Sequence, residues 1–327
     1  MRRWLVRTVV ALGSLLAGVA LLVWLLWIPS AQEPPYRVVR TWGEQGEQLG
    51  QFNDPTGIAV TQAEVFVSDS RNGRIQVFSH QGDFQRSIGE PGDDPGQLGR
   101  PMNLAIHEGE LYVADYWNDR ISIFNVQGQY LRKVGESGRE PGQLNAPGGV
   151  AVAQDGSLYI ADFYNHRVQH LQADGTFIEQ WGITGSVGIT ASQFNYPTDV
   201  ALSPEGELVV ADGYNDRVQV FSRSGEFLHK WGGPLGMNIF GPFPGWFATV
   251  TSVAIGPRGN VYVADFYNHR VQKFDAQGRF LTAFGGQGHQ PGQFEYVTAV
   301  AVTSNGTVFA TDFGNHRVMV FEPPAER

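Results

Sequence analysis

The hexapeptide Asp162-Phe163-Tyr164-Asn165-His166-Arg167 decides the fold, because its Asp-x-x-Asn-x-Arg pattern occurs six times along the chain. Successive copies begin 46, 47, 50, 53 and 47 residues apart. A nearly constant period of this length is the signature of a repeat architecture. The residues that open and close the other copies are Asp69 and Arg74, Asp115 and Arg120, Asp212 and Arg217, Asp265 and Arg270, and Asp312 and Arg317.

Each repeat predicts four short antiparallel strands. In the third repeat they are expected at residues 148–153, 157–162, 167–172 and 176–181. Asp155-Gly156 and Asp174-Gly175 stand between strands, and Asp-Gly pairs favour the tight turns of hairpins. Four strands in a unit of about 40 to 50 residues are typical of a propeller blade. The sequence therefore predicts an all-β, six-bladed β-propeller over residues 36–322, followed by a short tail at residues 323–327.

The closure of the ring is also predicted. The sixth repeat supplies three strands, the last of them at Arg317–Glu322, and lacks a fourth. A matching strand precedes the first repeat, where Tyr36–Trp42 is followed by Gly43. We expect this N-terminal strand to complete the last blade, because pairing the two ends removes the open edges of the ring.

The residues before the propeller predict a membrane anchor. Residues 8–28 carry no charge, and about 20 apolar residues suffice to cross the hydrocarbon core as a helix. Residues 1–28 are therefore interpreted as a cytoplasmic tip and a signal anchor, and residues 29–35 as a spacer. Basic residues at positions 2, 3 and 7 place the N-terminus in the cytoplasm, and Trp24 and Trp27 fit the outer interface. A cleaved signal peptide is the alternative. The propeller is then expected outside the cytoplasm, in the periplasm or the extracellular space.

Charge and composition exclude several classes of function. Of 327 residues none is Cys, which excludes disulfides, thiolate metal sites and a cysteine nucleophile. Residues 29–327 carry 20 basic and 32 acidic side chains, a net charge of −12. Nucleic-acid binding is driven largely by basic side chains, so no nucleic-acid partner is expected.

The copies that read Asn-His-Arg, at Asn165, Asn268 and Asn315, resemble the Asn-His-Leu motif that gives the NHL repeat family its name. The resemblance covers essentially residues 36–322 and implies a six-bladed propeller. Members of that family include extracellular sensor domains, scaffolds of ubiquitin ligases, RNA-binding translational repressors and a zinc-dependent peptidyl-amidating lyase. The resemblance therefore leaves the function open.

The Asp and Arg of the motif are expected to be structural. Asp ends the second strand and Arg begins the third, so a hairpin places them side by side for a charge-assisted contact. The Asn between them is expected to adopt the left-handed conformation of a tight turn. The histidines that follow it belong to blades 3, 5 and 6, and we do not expect them to converge on one metal ion.

The zinc site of the lyase is not expected in this chain. In that enzyme the zinc-binding histidines follow a Pro at the start of inner strands, in a Pro-His-x-x-Ala pattern. The corresponding stretches here begin at Pro55, Pro101, Pro147, Pro197, Val250 and Val297, and none continues with His. Common hydrolase motifs are missing as well, so the sequence assigns no catalytic residue, no metal site and no cofactor.

Aromatic residues follow the Asp of the motif in most repeats and suggest a binding surface. Those nearest the turn are Trp117, Tyr164, Tyr214 and Tyr267, which we expect to be more exposed than Phe163 or Phe266. Equivalent turns of a propeller emerge on one face. Rings grouped there can stack on sugars or contact hydrophobic side chains of a partner. The alternative is that every second ring packs between blades.

The longest connection between blades, Gly232–Thr251, is the second candidate binding element. It carries no charge, and it is interpreted as replacing the Gly-Gln-Phe element that precedes other blades. A long apolar loop suggests contact with a partner or ligand, plugging of the channel, or contact with the bilayer. Its candidate contact residues are Phe240, Phe243, Trp246 and Phe247.

These observations favour a membrane-anchored binding or scaffold propeller over an enzyme. The expected partner is an envelope protein, a peptide or a glycan on the face that carries the aromatic turns. The alternative is a metal-dependent, lyase- or lactonase-like enzyme with a site at the mouth of the central channel. Asn103 and Asp199 on inner strands would then supply oxygen ligands for a divalent ion.

Overall fold

The computed structural model describes residues 2–324, with side chains described for residues 9–22 and 28–324. Its strands form six four-stranded antiparallel sheets, so the predicted six-bladed propeller is confirmed. In blades 1 to 5 the strands follow one another in chain order from the channel outward. The helix is α1 Arg2–Trp27, and the strands are β1 Arg37–Trp42; β2 Pro55–Val60, β3 Glu64–Asp69, β4 Arg74–Ser79 and β5 Phe84–Ile88 in blade 1; β6 Pro101–His107, β7 Glu110–Asp115, β8 Arg120–Asn125 and β9 Tyr130–Val134 in blade 2; β10 Pro147–Val152, β11 Leu158–Asp162, β12 Arg167–Leu171 and β13 Phe177–Gly182 in blade 3; β14 Pro197–Leu202, β15 Leu208–Asp212, β16 Arg217–Phe221 and β17 Phe227–Trp231 in blade 4; β18 Val250–Ile255, β19 Val261–Asp265, β20 Arg270–Phe274 and β21 Phe280–Gly285 in blade 5; and β22 Val297–Val302, β23 Val308–Asp312 and β24 Arg317–Glu322 in blade 6.

Strand β1 completes blade 6, as the sequence predicted. It pairs antiparallel with β24, with Trp42 opposite Val318. Just before it, Tyr36 stacks on Phe284 of blade 5 at 4.7 Å between ring centroids. Its hydroxyl lies 2.8 Å from the hydroxyl of Tyr262. The closing strand is therefore fixed both by its ladder and by an aromatic contact with the neighbouring blade.

The core consists of hydrophobic clusters between successive blades. Ile121 and Ile123 of blade 2, for example, pack with Leu158 and Ile160 of blade 3 in one buried cluster. Burial of one such side chain stabilises the fold by roughly 1.5–3 kcal/mol. Val65 and Val67 of β3 pack toward blade 6 and Phe66 between them packs toward blade 2, so successive residues of one inner strand join a blade to both of its neighbours.

Helix α1 and the residues that follow it were predicted to form an anchor and a spacer. Among the residues whose structure is described, no helix has the length and apolarity needed to span a membrane. The predictions for Trp24, Trp27 and the three N-terminal Arg residues concern side chains outside the described part of the chain. The spacer itself is docked on blade 5: the N–H groups of Gln32 and Glu33 donate to the carbonyl oxygen of Leu281 at 2.7 and 3.0 Å.

Strand direction determines which loops share a face. The strands of each blade alternate in direction, so the turn between the second and third strands emerges on the same face as the loop that leads to the next blade. We call this the turn face. Short 3-10 helices form five turns of this face, at Ser70–Asn72, Tyr116–Asn118, Phe163–Asn165, Gly213–Asn215 and Phe266–Asn268. Two further 3-10 helices lie outside these turns, Pro234–Gly236 in the loop that enters blade 5 and Pro257–Gly259 between β18 and β19.

Candidate functional site on the turn face

The Asp and Arg of every repeat form a cross-strand ion pair, as predicted. Asp162 and Arg167 are register partners on β11 and β12, and their Oδ2 and Nε atoms lie 2.7 Å apart. The six pairs have distances between 2.7 and 3.3 Å, and all six carboxyl groups are buried. Burial raises the pKa of the Asp265 carboxyl to about 6, while its contact with Arg270 acts in the opposite direction.

The ion pairs also fix the loops that enter each blade, which the sequence did not predict. In blade 3, Asp162 Oδ1 accepts the N–H of Asn145 at 2.7 Å. Arg167 Nη2 donates to the carbonyl oxygens of Glu140 and Gln143 at 3.0 and 2.8 Å. Each Asp and Arg thus ties a loop of the turn face to its blade. Equivalent contacts hold the loops at residues 43–54, 89–100, 183–196, 232–249 and 286–296.

The prediction that the motif Asn adopts a left-handed conformation is wrong. Asn165 lies in a 3-10 turn, and its side-chain amide donates to Asp162 Oδ2 at 2.8 Å and to Gly138 O at 2.9 Å. The next residue, His166, has the positive φ, of 54°. The Asn is therefore needed as a hydrogen-bond donor, and the residue after it turns the chain.

That next residue also links one blade to the following one. His166 Nδ1 accepts the N–H of Tyr196 at 3.2 Å, so this nitrogen carries no proton. Burial lowers the pKa of His166, which favours the neutral ring. We call each such contact a latch. The other latches join Asp119 to Ala146, Asp216 to Thr249, His269 to Tyr296, and His316 to Asp54, at 2.7–3.3 Å.

The aromatic side chains nearest the turns are exposed, as expected. Trp117, Tyr164, Tyr214 and Tyr267 expose between 46% and 61% of their surface, whereas Phe163 and Phe266 are half-buried. Four of the blades thus present an aromatic ring to solvent on one face. The expectation of a shared aromatic face is met by the geometry.

Rings on blades 2, 3 and 4 touch one another in a continuous aromatic arc. Phe163 lies 5.9 Å from Tyr116, 4.8 Å from Tyr196 and 6.2 Å from Tyr214, measured between ring centroids. Tyr164 lies 6.0 Å from Tyr116. Two of these contacts are edge-to-face and two are tilted, and together they fix the rings in place. The aromatic arc is Tyr116, Phe163, Tyr164, Tyr196 and Tyr214.

A second aromatic group joins blades 5 and 6. Phe266 stacks on Tyr296 at 4.8 Å, and Tyr267 lies 5.9 Å from the same ring. Tyr196 and Tyr296 were missed because they precede the first strand of a blade and lie outside the motif. Their sequence position could have revealed them, because Tyr196 and Tyr296 each lie two residues after a buried Phe, Phe194 and Phe294.

The interpretation of loop 232–251 requires two corrections. Phe247, expected at the binding surface, is fully buried against Phe274. The Gly-Gln-Phe element is also not replaced: Gly245 donates its N–H to Gln272 Oε1 at 2.9 Å, as Gly142 does to Gln169 in blade 3. The spacing in the sequence could have identified Phe247 as a core residue, because it precedes Asp265 by 18 residues, and the buried Leu144 precedes Asp162 by the same number.

The true insertion in this loop is six residues long. Gly232 and Phe247 are 15 positions apart, whereas Gly43 and Phe52 are nine apart. Phe240 and Phe243 are 73% and 42% exposed, in agreement with their expected surface position. Trp246 is half-buried and meets Phe243 edge-to-face at 5.1 Å. This arrangement keeps the insertion on the turn face, outside the channel.

The central channel holds Asn103 and Asp199, the residues considered for oxygen ligation. The cavity has a volume of about 280 Å³ and is lined by inner-strand residues. Asp199 Oδ2 accepts the N–H of Val253 at 3.1 Å, and burial raises the pKa of Asp199 to about 7. Asn103 donates to the carbonyl oxygen of Thr251 at 3.4 Å. Within the described residues, no three His, Asp or Glu side chains form a group able to hold a metal ion.

The opposite face carries a pocket of about 440 Å³ with Ser157 and His170. His170 Nε2 lies 3.0 Å from Ser157 Oγ, and Nδ1 lies 3.4 Å from Glu179 Oε1. The Ser157 hydroxyl donates to Asp155 Oδ1 at 2.7 Å. Its proton is thus directed to a carboxylate rather than to the imidazole, which differs from the arrangement of a serine nucleophile and its base.

The fold and the repeated loop contacts define a six-bladed β-propeller built from like blades. The model of the NHL repeat matches residues 52–78, 144–171, 194–221, 247–274 and 294–321, so the chain carries NHL repeats. Each match begins at the buried Phe or Leu of an entering loop and ends in the third strand of the blade. The resemblance found in the sequence is thereby supported.

Comparisons with known proteins give a short sequence match and similar solved structures. The B-box type zinc finger protein ncl-1 of Caenorhabditis elegans is 47% identical over 45 residues, which is 14% of this chain and 5% of that protein. A structural genomics protein of unknown function from Bacteroides thetaiotaomicron has a TM-score of 0.67 at 16% identity, over 88% of this chain and 75% of the other. A streptogramin B lyase has a TM-score of 0.60 at 13% identity, over 90% and 100%. Identities of 16% and 13% show only that these two solved structures share the fold of this chain.

Proposed function

We propose that this chain is a membrane-anchored propeller, displayed outside the cytoplasm, that binds a protein, peptide or glycan partner through its turn face. The observation that carries the proposal is the aromatic arc on blades 2 to 4. Tyr164 and Tyr214 present half of their surface to solvent while their neighbours hold the rings in position. Surfaces of this composition are typical of binding sites.

The frame beneath the arc favours binding because it is already ordered. The turn of blade 3 is held by Asp162, Asn165 and Arg167, and the entering loop of blade 4 is held to it by the latch from His166. A preorganised surface loses less conformational entropy on binding than a mobile one. Burial raises the pKa of Tyr214, so at neutral pH its hydroxyl remains protonated and able to donate a hydrogen bond to a partner.

The proposed anchor is supported by sequence and by the docked spacer. Residues 8–28 carry no charge and lie largely within helix α1. The ion pair between Lys273 Nζ and Glu33, at 2.6 Å, fixes the spacer on blade 5 close to the start of the propeller. An anchored chain would therefore hold its propeller near the membrane surface, where an envelope partner would be met.

Site-specific crosslinking tests the binding surface. A photoreactive phenylalanine analogue at Tyr214 is expected to yield a discrete crosslinked species in native membranes. The matched control is the same analogue at Glu205, an exposed residue on the opposite face of the same blade. Equal crosslinking at the two positions, or none at Tyr214, would contradict the proposal.

Cysteine labelling tests the location. The chain has no Cys, so Glu205→Cys introduces a single reactive thiol. Intact cells are expected to be labelled at this position by a membrane-impermeant maleimide. Labelling that requires lysis of the cells would place the propeller in the cytoplasm.

A further inference from the structure

Two neighbouring loops of the turn face expose a set of apolar side chains. One is the loop entering blade 4 and the other is the insertion entering blade 5. Each of these side chains exposes between 42% and 73% of its surface. We call the set the apolar patch, and it consists of Ile183, Val187, Ile189, Leu235, Met237, Ile239, Phe240 and Phe243.

One buried side chain joins the two loops into a single surface. Arg217 is fully buried, and its Nη1 donates to the carbonyl oxygens of Ile189 and Gly236, the latter at 3.2 Å. Ile189 belongs to the first loop and Gly236 to the second. The two halves of the patch are therefore held together by the same motif Arg that orders blade 4.

The backbone of both loops is hydrogen-bonded within the loops. The N–H of Met237 donates to Pro234 O at 3.3 Å, and that of Gly241 donates to Phe247 O at 3.0 Å. In the first loop Ser186 donates to Ile183 O at 2.9 Å. Polar groups moved into a lipid environment without a partner cost several kcal/mol each, which these internal bonds avoid.

Charge is arranged around the patch and not within it. Residues 180–198 and 231–257 contain no Asp, Glu, Lys or Arg. A basic side chain lies beside each half: a methyl group added to Gly185 would lie 3.8 Å from Arg139 Nη1, and one added to Gly236 would lie 3.2 Å from Cγ in the stem of Lys230. The acidic Asp216, which lines a cavity together with Phe240, is buried. Apolar tips flanked by cations match an interface of acyl chains and anionic headgroups.

The patch lies beside the point where the N-terminal segment reaches the propeller. A methyl group on Gly245 would lie 3.2 Å from Pro29 Cγ, so the first spacer residue touches the loop that carries Phe243. The segment that we propose to be an anchor therefore leaves the propeller next to a loop of the apolar patch.

We propose that the apolar patch inserts into the outer boundary of an anionic lipid bilayer and fixes the tilt of the propeller on the membrane. This inference rests on the proposed membrane attachment for the proximity of the bilayer. It adds a second contact, which would turn one side of the turn face toward the lipid and leave blades 1, 2 and 6 farther from it.

Depth-dependent quenching tests the inference on the full chain. The chain has no Cys, so Phe240→Cys, Leu15→Cys and Glu205→Cys each accept a single environment-sensitive fluorophore. The three labels report the patch, helix α1 and the opposite face. The protein is reconstituted in vesicles of phosphatidylcholine with phosphatidylglycerol, with and without brominated acyl chains. Position 240 is expected to lose most of its fluorescence to the bromolipid, and position 205 to keep it.

The outcomes separate this inference from the proposed anchor. Quenching at positions 15 and 240 supports both proposals. Quenching at 15 with a water-exposed label at 240 overturns the patch contact and leaves the anchor. Quenching at 240 alone supports the patch and rejects the anchor, and no quenching at either position rejects both. An Arg139→Ala, Lys230→Ala double variant is expected to reduce quenching at 240 in anionic vesicles and not in neutral ones.

Discussion

Replacement of Asp162 by Asn tests whether the repeated ion pair is a structural element of the blade. Oδ1 of Asp162 accepts the N–H of Asn145, and Oδ2 accepts hydrogen bonds from Asn165, Arg167 and Gln169 at 2.7 to 3.1 Å. The isosteric Asn removes the negative charge, and its amide group would place an N–H donor next to the three side chains that donate to Asp162 Oδ2. Arg167, which is 1% exposed, would then keep an uncompensated buried charge.

The expected loss is large because removal of one partner from a buried ion pair costs about 3–5 kcal/mol. Urea unfolding followed by tryptophan fluorescence measures it, with an unchanged m-value as evidence that the transition itself is the same. The matched control is Glu322→Gln, which breaks the exposed pair with Arg37, where N and O lie 3.6 Å apart. Such surface pairs contribute about 0–1 kcal/mol. Equal losses in the two variants would refute a structural role for the buried pair.

Three further predictions follow from the fold. Deletion of Tyr36–Trp42 is expected to lower the melting temperature sharply, because blade 6 loses its outer strand; an unchanged melt in calorimetry would contradict the closure. Phe247→Ala is expected to cost about 3–5 kcal/mol in urea unfolding and Phe240→Ala less than about 0.5 kcal/mol, since only the first side chain is buried; similar losses in the two variants would contradict the placement of Phe247 in the core and Phe240 on the surface. Burial lowers the pKa of His166 in the folded protein below its ordinary value of 6.5. The latch therefore contributes its full stability above pH 6.5, and that stability is lost as the pH falls through the lowered pKa of the folded state. His166→Asp keeps an acceptor and is expected to reduce the change of the melting temperature with pH in this range. A melting temperature that depends on pH in the variant as it does in the parent protein would contradict the latch.

The sequence predicted the features that every repeat shares. Six copies of one motif gave the number of blades, and the strand before Gly43 gave the closure. The cross-strand pair of Asp162 and Arg167 followed from the period of a hairpin. These predictions succeeded because they depend on local geometry that is the same in each blade.

The predictions that failed depended on contacts between segments far apart in sequence. Phe247 was taken as exposed because its neighbours are apolar, although its position relative to Asp265 marks it as a core residue. The second role of Arg167, as donor to the entering loop, involves residues 24 and 27 positions earlier. Hydrophobicity patterns carry no information on such side-chain-to-carbonyl bonds.

The sequence predicted which aromatic residues are exposed, but not which of them contact one another. Trp117, Tyr164, Tyr214 and Tyr267 are exposed as predicted. Their association through Tyr196 and Tyr296 was not predictable from the motif, because these rings come from a different loop. The docking of the spacer on Leu281 likewise depends on tertiary contacts alone.

The boundaries between successive blades, which we call seams, differ in the side chain that stands at the latch position. Imidazole closes the seams between blades 3 and 4, 5 and 6, and 6 and 1, and carboxylate closes those between 2 and 3 and between 4 and 5. Gly73 stands at the remaining seam, where a side chain would collide with Pro91. Protonation of the His166 ring would remove the acceptor of the Tyr196 N–H, so acid would weaken the contact that joins blade 3 to blade 4.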